Sequence, residues 1–106
     1  MSRSVFYITA GNMEEAENIA KQMVEKKLVA CVNIIPRIKS VFYWEGEAQV
    51  EEEVLLTGKT RTALINELVE FVNEQHSYEV PCVISWTIEN GQPQFLEWID
   101  QETQRT

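Results

Sequence analysis

The fold is decided by residues 28–60, which read LVACVNIIPRIKSVFYWEGEAQVEEEVLLTGKT. The first arm, 28–44, opens with a near-continuous apolar run rich in β-branched residues, which is typical of a strand buried on both faces. Residues 45–47, Glu-Gly-Glu, predict a chain reversal. The return arm, 48–56, carries apolar residues with acidic ones between them. Together these features predict one long β-hairpin.

The first arm is too long to lie straight inside a small domain. Its 17 residues would span roughly 56 Å at about 3.3 Å each, whereas a compact domain of this size is roughly 33 Å across. Pro36 cannot donate to a central ladder and is therefore the expected position of a bend. Alternatively, the tip extends onto another chain. Both can hold at once.

The tip of the hairpin is aromatic. If covered, Phe42, Tyr43 and Trp44 would each bury about 150–250 Å², an upper estimate of roughly 4–6 kcal/mol per side chain. Either the hairpin curls over its own core or the tip packs against another copy. Self-association is the favoured interpretation, because apolar side chains on both faces of a projecting hairpin need two surfaces to cover them.

Composition sets wide limits on function. The 106 residues are 44% hydrophobic and 25% charged, which predicts a single globular domain over 1–106. A net charge of −8 repels a phosphate backbone, so nucleic acid is not an expected partner. No apolar stretch approaches the 18 residues or so of a membrane span, and the N-terminus resembles a first strand more than a signal sequence.

The rest of the chain alternates strands and helices. Residues 4–9 predict a strand, and Asn12 is the expected cap of a helix whose buried face includes Ala16, Ile19, Ala20, Met23 and Val24. After the hairpin, Thr60 or Thr62 is expected to cap a second helix, buried at Leu64, Ile65, Leu68, Val69 and Val72. A strand over 82–88 and a short closing helix over 95–99 follow.

This order, βαββαβ with a closing helix, predicts an α+β ferredoxin-like sandwich with a long bent hairpin. Two helices cover one face of an antiparallel sheet and leave the other face open. An apolar open face is a second reason to expect oligomers.

The sequence contains no recognisable catalytic motif. It has one histidine and lacks the Gly-x-Ser-x-Gly, phosphate-loop and His-Glu-x-x-His patterns. An acylphosphatase would need a basic phosphate cradle after the first strand, but residues 11–14 are Gly-Asn-Met-Glu. We therefore expect a protein that is not an enzyme.

Two soft donors are candidate metal ligands. His76 ends the second helix, where it is either a solvated cap or a ligand, and Cys82 follows six residues later. A thiolate with an imidazole suits Cu(I) or Zn(II), although a buried inert thiol is the commoner role for a strand cysteine. Cys31 is expected in the core. Two cysteines are too few for a disulfide framework, which favours a reducing cytoplasm.

Other polar residues allow further interpretations. Glu51 and Glu53 share a strand face and Glu52 points the other way, so the run is either a hard-cation site or a solvated edge that prevents aggregation. Another interpretation is a polar crevice between subunits, lined by Trp44, Lys59, Tyr78 and Glu79.

Dispersed motifs resemble one family. They are LVACVNIIP, Ser-x-x-Tyr-Trp-Glu-Gly over 40–46, Glu53-x-x-Leu56, Gly58-Lys59-Thr60, HSYEVP and FLEWI. In this order they resemble the CutA divalent-cation tolerance family over essentially the whole chain. The resemblance implies a ferredoxin-like homotrimer, akin to PII signalling proteins, whose hairpins pack around a threefold axis. Phe42, Tyr43 and Trp98 are the expected packing residues.

The resemblance also implies a function in tolerance of copper or other divalent cations, without an obligatory cofactor. Some members have a cysteine where this chain has Ile8. The family's His-Pro-Tyr-Glu motif reads His76-Ser77 here, and Cys82 replaces a glutamate. Any metal site implied by the resemblance therefore depends on His76, together with Cys82. A PII-like module that binds a small molecule or partner segment between subunits is the alternative.

Overall fold

The protein is described by a computed structural model that covers residues 1–105. Four strands and three helices follow in the order β1 (Arg3–Ala10), α1 (Met13–Glu25), β2 (Cys31–Trp44), β3 (Glu47–Arg61), α2 (Ile65–Gln75), β4 (Val83–Thr87) and α3 (Pro93–Glu102), with a 3-10 turn (Thr62–Leu64) before α2. All strand pairs are antiparallel, in the order β2-β3-β1-β4. The predicted α+β ferredoxin-like fold is confirmed.

The core lies between the sheet and helices α1 and α2. Alternation along β1 directs Phe6 and Ile8 toward the helices, and both are fully buried. Asn12 caps α1 as predicted, because its Oδ1 accepts a 2.8 Å hydrogen bond from the Glu15 N–H. The other buried members of this cluster are Ala10, Ala16, Ile19, Ala20, Met23, Leu28, Val29, Val54, Leu56, Leu68, Phe71 and Val72.

The opposite face of the sheet has no helix over most of its area and is apolar, as expected. Tyr7 pairs with Ile84, and Val5 pairs with Trp86, so these side chains share one face. Ile84 is 55% exposed and Trp86 is 50% exposed. We call this surface, with Ile35 of β2, the open face.

Helix α3 is attached to one end of the sheet. The Arg3 guanidinium donates to both carboxylate oxygens of Asp100, and Arg61 donates to the hydroxyl and the carbonyl of Thr103. Arg3 and Arg61 face each other across β1 and β3, so two neighbouring strands hold the same helix.

The hairpin projects from the domain, whose principal extents are 46 × 26 × 22 Å. Pairing shifts between Ile35 and Ile38, where Pro36 and Arg37 together oppose Val54 as a β-bulge. Arg37 adopts a left-handed φ of 60°. The structure therefore has a β-bulge at the position where Pro36 predicted a bend.

The hairpin does not curl over its own core, so that interpretation was wrong. Beyond the bulge the ladder continues to the Trp44–Glu47 pair. Val41, Tyr43 and Val50 remain 68%, 75% and 62% exposed. Packing of the tip against another chain stays a prediction.

Several predicted boundaries were wrong. Strand β2 starts at Cys31 and is an edge strand that is not buried on both faces, while 28–30 form a buried connection. Strand β3 extends past 56 to Arg61. Strand β4 is shorter than predicted and α3 is longer.

Some side-chain assignments also change. Neither threonine caps α2: Thr60 donates to the Leu28 carbonyl, and Thr62 is bonded to the hydroxyls of Ser2 and Ser4. Val24, predicted to be buried, is 42% exposed.

Candidate functional site

His76 is the C-cap residue of α2, and its side chain is fully buried. Its Nε2 lies 2.7 Å from the carbonyl oxygen of Thr9, and its Nδ1 accepts a 3.0 Å hydrogen bond from the Tyr78 N–H. This pattern requires a neutral ring with its proton on Nε2. The interpretation of His76 as a solvated cap was wrong.

Glu15 of α1 forms hydrogen bonds with the segment that follows His76. Its carboxylate accepts hydrogen bonds from the Ser77 N–H at 2.7 Å and from the Ser77 hydroxyl at 3.0 Å. Burial alone would raise the pKa of Glu15, but the hydrogen bonds from Ser77 and Gly11 lower it overall. The Oε2 atom lies 4.0 Å from Nδ1 of His76.

Tyr78 crosses from this segment to the hairpin. Its hydroxyl donates a 2.7 Å hydrogen bond to Oε2 of Glu53, and its ring lies 4.6 Å from the His76 ring. A Cβ on Gly11 would meet the Tyr78 hydroxyl at 3.3 Å. Burial, then the hydrogen bond to Glu53, and then the charges of Glu53, Glu51 and Glu15 raise the pKa of Tyr78 well above its ordinary value. The phenol therefore stays protonated.

Cys82 was expected to be buried, and this was wrong, because the residue is exposed. Partial desolvation still raises the pKa of its thiol, the charge of Glu53 raises it further, and a hydrogen bond with Thr9 offsets part of the increase. Cys31 is also not a core residue. It is partly exposed and pairs with Lys59 at the start of edge strand β2.

The predicted metal pair does not form a complete metal site in one subunit. Both residues neighbour Thr9, but both nitrogens of His76 already have hydrogen-bond partners. Residues 1–105 contain no cluster of three or more His, Cys, Asp or Glu side chains arranged to hold a metal ion. A metal at His76 would have to replace one of these hydrogen bonds.

The predicted polar crevice is only partly assembled within the single chain: Trp44 and Tyr78 line one cavity, which Lys59 and Glu79 do not line. Lys59 donates a 3.1 Å hydrogen bond to Asn33. Along β3 it lies six residues from Glu53, the hydrogen-bond partner of Tyr78, and six residues of strand span roughly 20 Å. Glu79 is exposed. Grouping of Lys59 with Tyr78, Glu79 and Trp44 across subunits stays a prediction.

The predicted packing residues lie at two separate places. Phe42 and Tyr43 are at the hairpin tip, 40% and 75% exposed. Trp98 is half-buried on α3, where its ring centre lies 5.3 Å from that of Phe95. The structure leaves these aromatic surfaces accessible to another chain.

Two cavities flank the Tyr78–Glu53 pair. The first, about 620 Å³, lies at the bulge and is lined by Gly11, Asn12, Met13, Pro36, Arg37, Glu52, Glu53 and Val54. The second, about 560 Å³, lies along the hairpin and is lined by Phe42, Trp44, Glu45, Gln49, Glu51 and Tyr78. Both volumes are in the range of small-molecule sites.

Sequence reasoning missed the bond from Tyr78 to Glu53 and the role of Glu15. Glu15, Glu53 and Tyr78 are all present in the sequence, and Glu53 and Tyr78 each lie in one of the family motifs. Their contacts join segments 25 and 62 residues apart, so no local pattern encodes them.

Comparison with known proteins agrees with this architecture. The family model described as "CutA1 divalent ion tolerance protein" matches residues 4–102. The chain is 50% identical over 95 residues to the "Divalent-cation tolerance protein CutA" of Archaeoglobus fulgidus, covering 90% of this chain and 92% of that protein. It is 46% identical over 99 residues to the chloroplastic CutA of Arabidopsis thaliana, covering 93% of this chain and 54% of that protein. The chain thus spans about half the length of this plant relative.

Solved structures give the same result. The crystal structure of CutA1 from Oryza sativa superposes with a TM-score of 0.96 at 40% identity, covering 100% of this chain and 97% of that one. The divalent cation tolerance protein (Cut A1) of Thermus thermophilus gives a TM-score of 0.92 at 38% identity, covering 96% of this chain and 99% of that one.

The molecule is thus an α+β protein of the ferredoxin-like class with an extended hairpin. The chain belongs to the CutA1 divalent ion tolerance family. Within residues 1–105 no helix combines the length and the apolar character needed to cross a membrane.

Proposed function

We propose that this chain acts as a non-catalytic, homotrimeric, cytoplasmic protein in the response to copper or another divalent cation. Family membership supports cation tolerance. The observation that carries the assembly is the open face, where Ile84 and Trp86 are about half exposed on a sheet without a covering helix. Strands β2 and β4 are also the two free edges of the sheet, which allows strands of neighbouring subunits to pair.

Assembly is tested by sedimentation equilibrium at micromolar protein concentration. We expect three times the mass of the single chain. Ile84→Glu, which places a charge on the open face, should give smaller species. Val80→Glu is the matched control, because Val80 is 86% exposed on the loop before β4. A single-chain mass for the unmodified protein would contradict the proposal.

The metal is proposed to bind Cys82 first, because this thiol is exposed whereas His76 is buried. Partial desolvation and then the nearby Glu53 carboxylate raise the pKa of the thiol, so a cation must displace the proton to bind. His76 joins only when its bond from the Tyr78 N–H opens. Such a site binds less tightly than a closed three-ligand site.

Titration with Cu(I) and Zn(II) under reducing conditions tests this assignment. Cys82→Ser should remove binding, while Cys31→Ser should retain it. Equal binding by the unmodified protein and Cys82→Ser would refute Cys82 as the ligand. Loss of binding in both variants would point to a nonspecific thiol effect.

We propose that the protein is not catalytic because of the hydrogen-bond partners of its histidine. The one histidine of the sequence has both nitrogens engaged by backbone groups. Among residues 1–105 it makes no hydrogen bond to a hydroxyl or thiol nucleophile. Turnover of any substrate that is lost in Glu53→Gln would contradict a non-catalytic function.

A PII-like small-molecule module is the second candidate, favoured by the two cavities beside Tyr78. A thermal-shift screen with nucleotides and metabolites separates the two candidates, since a ligand that binds only the native state raises the melting temperature. Stabilisation by one of these compounds, but not by metal ions, would favour this candidate.

A further inference from the structure

The loop between β4 and α3 contains an Asn-Gly pair, Asn90–Gly91, to which the proposed function gives no role. Both residues are exposed and lie outside any strand or helix. The last backbone hydrogen bond before the pair joins the Ile88 N–H to the Arg3 carbonyl, and the next one after it ends on the Gln92 carbonyl. The pair therefore lies in a short segment whose backbone angles are not fixed by hydrogen bonds.

We propose that Asn90 is a site of non-enzymatic covalent modification, in which it loses ammonia to form a cyclic imide with Gly91 and is then hydrolysed. The main-chain nitrogen of Gly91 loses its proton and forms a bond to Cγ of Asn90. The Cγ–Nδ2 bond breaks, and the departing nitrogen takes up a proton and leaves as ammonia. Water then opens the imide, giving aspartate when it attacks the side-chain carbonyl and isoaspartate when it attacks the main-chain carbonyl.

Neither reacting group is protected by a hydrogen bond. Within residues 1–105, no hydrogen bond involves the side-chain amide of Asn90 or the N–H of Gly91. An N–H in contact with water can release its proton to the solvent, and an unbonded side-chain amide can turn toward the attacking nitrogen. Because Gly91 has no Cβ, nothing on that residue obstructs the approach. The structure therefore leaves both partners of the reaction accessible to each other and to water.

The other asparagines of the chain lack this combination. Asn18, Asn66 and Asn73 lie in helices, where regular backbone angles keep the side chain from closing a ring with the next nitrogen. Asn12 and Asn33 each accept a hydrogen bond on Oδ1. None of the five is followed by glycine. The reaction should therefore be selective for residue 90.

The proposed assembly leaves this loop available. Contacts between subunits are assigned above to the open face, to the edge strands β2 and β4, to the hairpin tip and to Trp98. Asn90 and Gly91 belong to none of these surfaces, because the loop begins after β4 has ended at Thr87. We therefore expect the reaction in the assembled protein, and the site does not depend on metal binding.

Modification changes both the charge of the loop and its length. Each product adds a negative charge to the formal net charge of −8. Gln92 is the N-cap of α3, and its side chain accepts a 2.7 Å hydrogen bond from the Phe95 N–H. A carboxylate at residue 90 lies just before this positive end of the helix, where it is favoured by the helix dipole. Isoaspartate also inserts a methylene group into the main chain between β4 and α3.

Ageing of the purified, assembled protein tests the proposal. The protein is incubated at physiological temperature and mildly alkaline pH, and its peptides are then compared by mass spectrometry. We expect the peptide that contains residue 90 to gain the mass difference between an amide and an acid. Methylation by an isoaspartyl methyltransferase should label the same peptide. Asn18, Asn33, Asn66 and Asn73 are internal controls and should stay unmodified while Asn90 reacts.

Three variants test the route. Asn90→Gln keeps an exposed amide but needs a larger imide ring, so it should give no product. Gly91→Ala should slow the reaction at least about fivefold, because a Cβ hinders the approach to the nitrogen. This Cβ would lie 3.1 Å from Cδ2 of Leu96, a flexible side chain that can move aside. Asn90→Asp supplies the reference for the aspartate product on an anion-exchange column.

Four results would overturn the proposal. They are no modification at residue 90, equal modification of the other asparagines, an unchanged rate in Gly91→Ala, and aspartate formed without isoaspartate. The last result would mean that water hydrolyses the side-chain amide directly and that Gly91 takes no part. Sedimentation of the variants before ageing shows that each is assembled like the unmodified protein, so that a changed rate is not caused by misfolding.

Discussion

Tyr78 and Glu53 are 25 residues apart in the chain, and the phenol hydroxyl of one donates a 2.7 Å hydrogen bond to the carboxylate of the other. This contact joins the loop after α2 to the base of the projecting hairpin. It also separates the two cavities, because Glu53 lines the one at the bulge and Tyr78 lines the one along the hairpin. The Tyr78–Glu53 pair therefore lies between the two cavities.

Removing this hydrogen bond should destabilise the protein. We expect Tyr78→Phe to lower the free energy of unfolding by about 1 kcal/mol, because a partly buried bond to a carboxylate is lost while the ring remains. Denaturant unfolding at one fixed protein concentration measures the difference, since the stability of an oligomer depends on concentration.

Tyr43→Phe is the matched control for this experiment. The Tyr43 hydroxyl also makes one hydrogen bond, to the Gly46 carbonyl at 2.8 Å, but this contact is exposed. We expect its loss to change stability by less than about 0.5 kcal/mol. Equal effects of the two substitutions would show that the Tyr78–Glu53 hydrogen bond contributes no more to stability than the exposed Tyr43–Gly46 bond.

Gly58 should be the least replaceable glycine of the hairpin. A Cβ at this position would lie 2.0 Å from the Cys31 carbonyl oxygen and 2.6 Å from Cζ of Phe6. Because one of these neighbours is backbone and the other a fully buried ring, we expect Gly58→Ala to destabilise the protein by about 3 kcal/mol or more. Thermal unfolding followed by circular dichroism measures the loss.

Gly46→Asn provides the comparison. Gly46 has a φ of 87°, and no heavy atom lies within 4 Å of the position that a Cβ would occupy. Asparagine tolerates left-handed backbone better than most residues, so we expect a change below about 1 kcal/mol. A Gly58→Ala protein as stable as Gly46→Asn would contradict the close packing of β2 on β3 at Cys31.

The lowered pKa of Glu15 predicts that the protein loses stability in acid. Its hydrogen bonds with Ser77 lower the pKa of Glu15 in the folded protein below its ordinary value of 4.5. A carboxyl group with a lowered folded-state pKa binds more protons when unfolded, so its contribution is complete above about 4.5 and is lost as the pH falls through the folded-state value. The unfolding midpoint should therefore fall as the pH drops below about 4.5.

Glu15→Gln should make this part of the pH profile shallower, with lower stability at neutral pH. Glu14→Gln is the control, because Glu14 makes no side-chain hydrogen bond among residues 1–105. Denaturant midpoints measured from about pH 3 to about pH 7 compare the variants. An unchanged slope in Glu15→Gln would mean that the link between α1 and Ser77 does not form in solution.

The fold could be predicted from the sequence because its signals are local. The roughly 3.6-residue spacing of apolar positions identified both main helices, and Pro36 marked the bulge. The predicted end of the return arm at residue 56 was wrong, since β3 continues through Gly58 to Arg61. In the structure, glycine is required there because the Cys31 backbone passes too close for a side chain.

The site was harder to predict because its contacts are between distant segments. The burial of His76 depends on the Thr9 carbonyl, 67 residues away, and nothing near position 76 in the sequence reveals that acceptor. The same limitation applies to Glu15 and Ser77. Residue types alone suggested a metal ligand at His76, whereas in the structure both of its ring nitrogens form hydrogen bonds with backbone groups.

The reactivity of Cys82 should depend on Glu53. The thiol is exposed, yet partial desolvation and the charge of Glu53 raise its pKa, which lowers the fraction of reactive thiolate near neutral pH. In a Cys31→Ser background, Glu53→Gln should therefore speed alkylation of Cys82 by iodoacetamide at about pH 7.5, by about two- to threefold in rate. Tyr78→Phe separates this electrostatic effect from loosening of the loop, because it removes the hydrogen bond to Glu53 and keeps the carboxylate. Equal acceleration by Tyr78→Phe and Glu53→Gln would attribute the change to loop opening and contradict a direct effect of the Glu53 charge on the thiol.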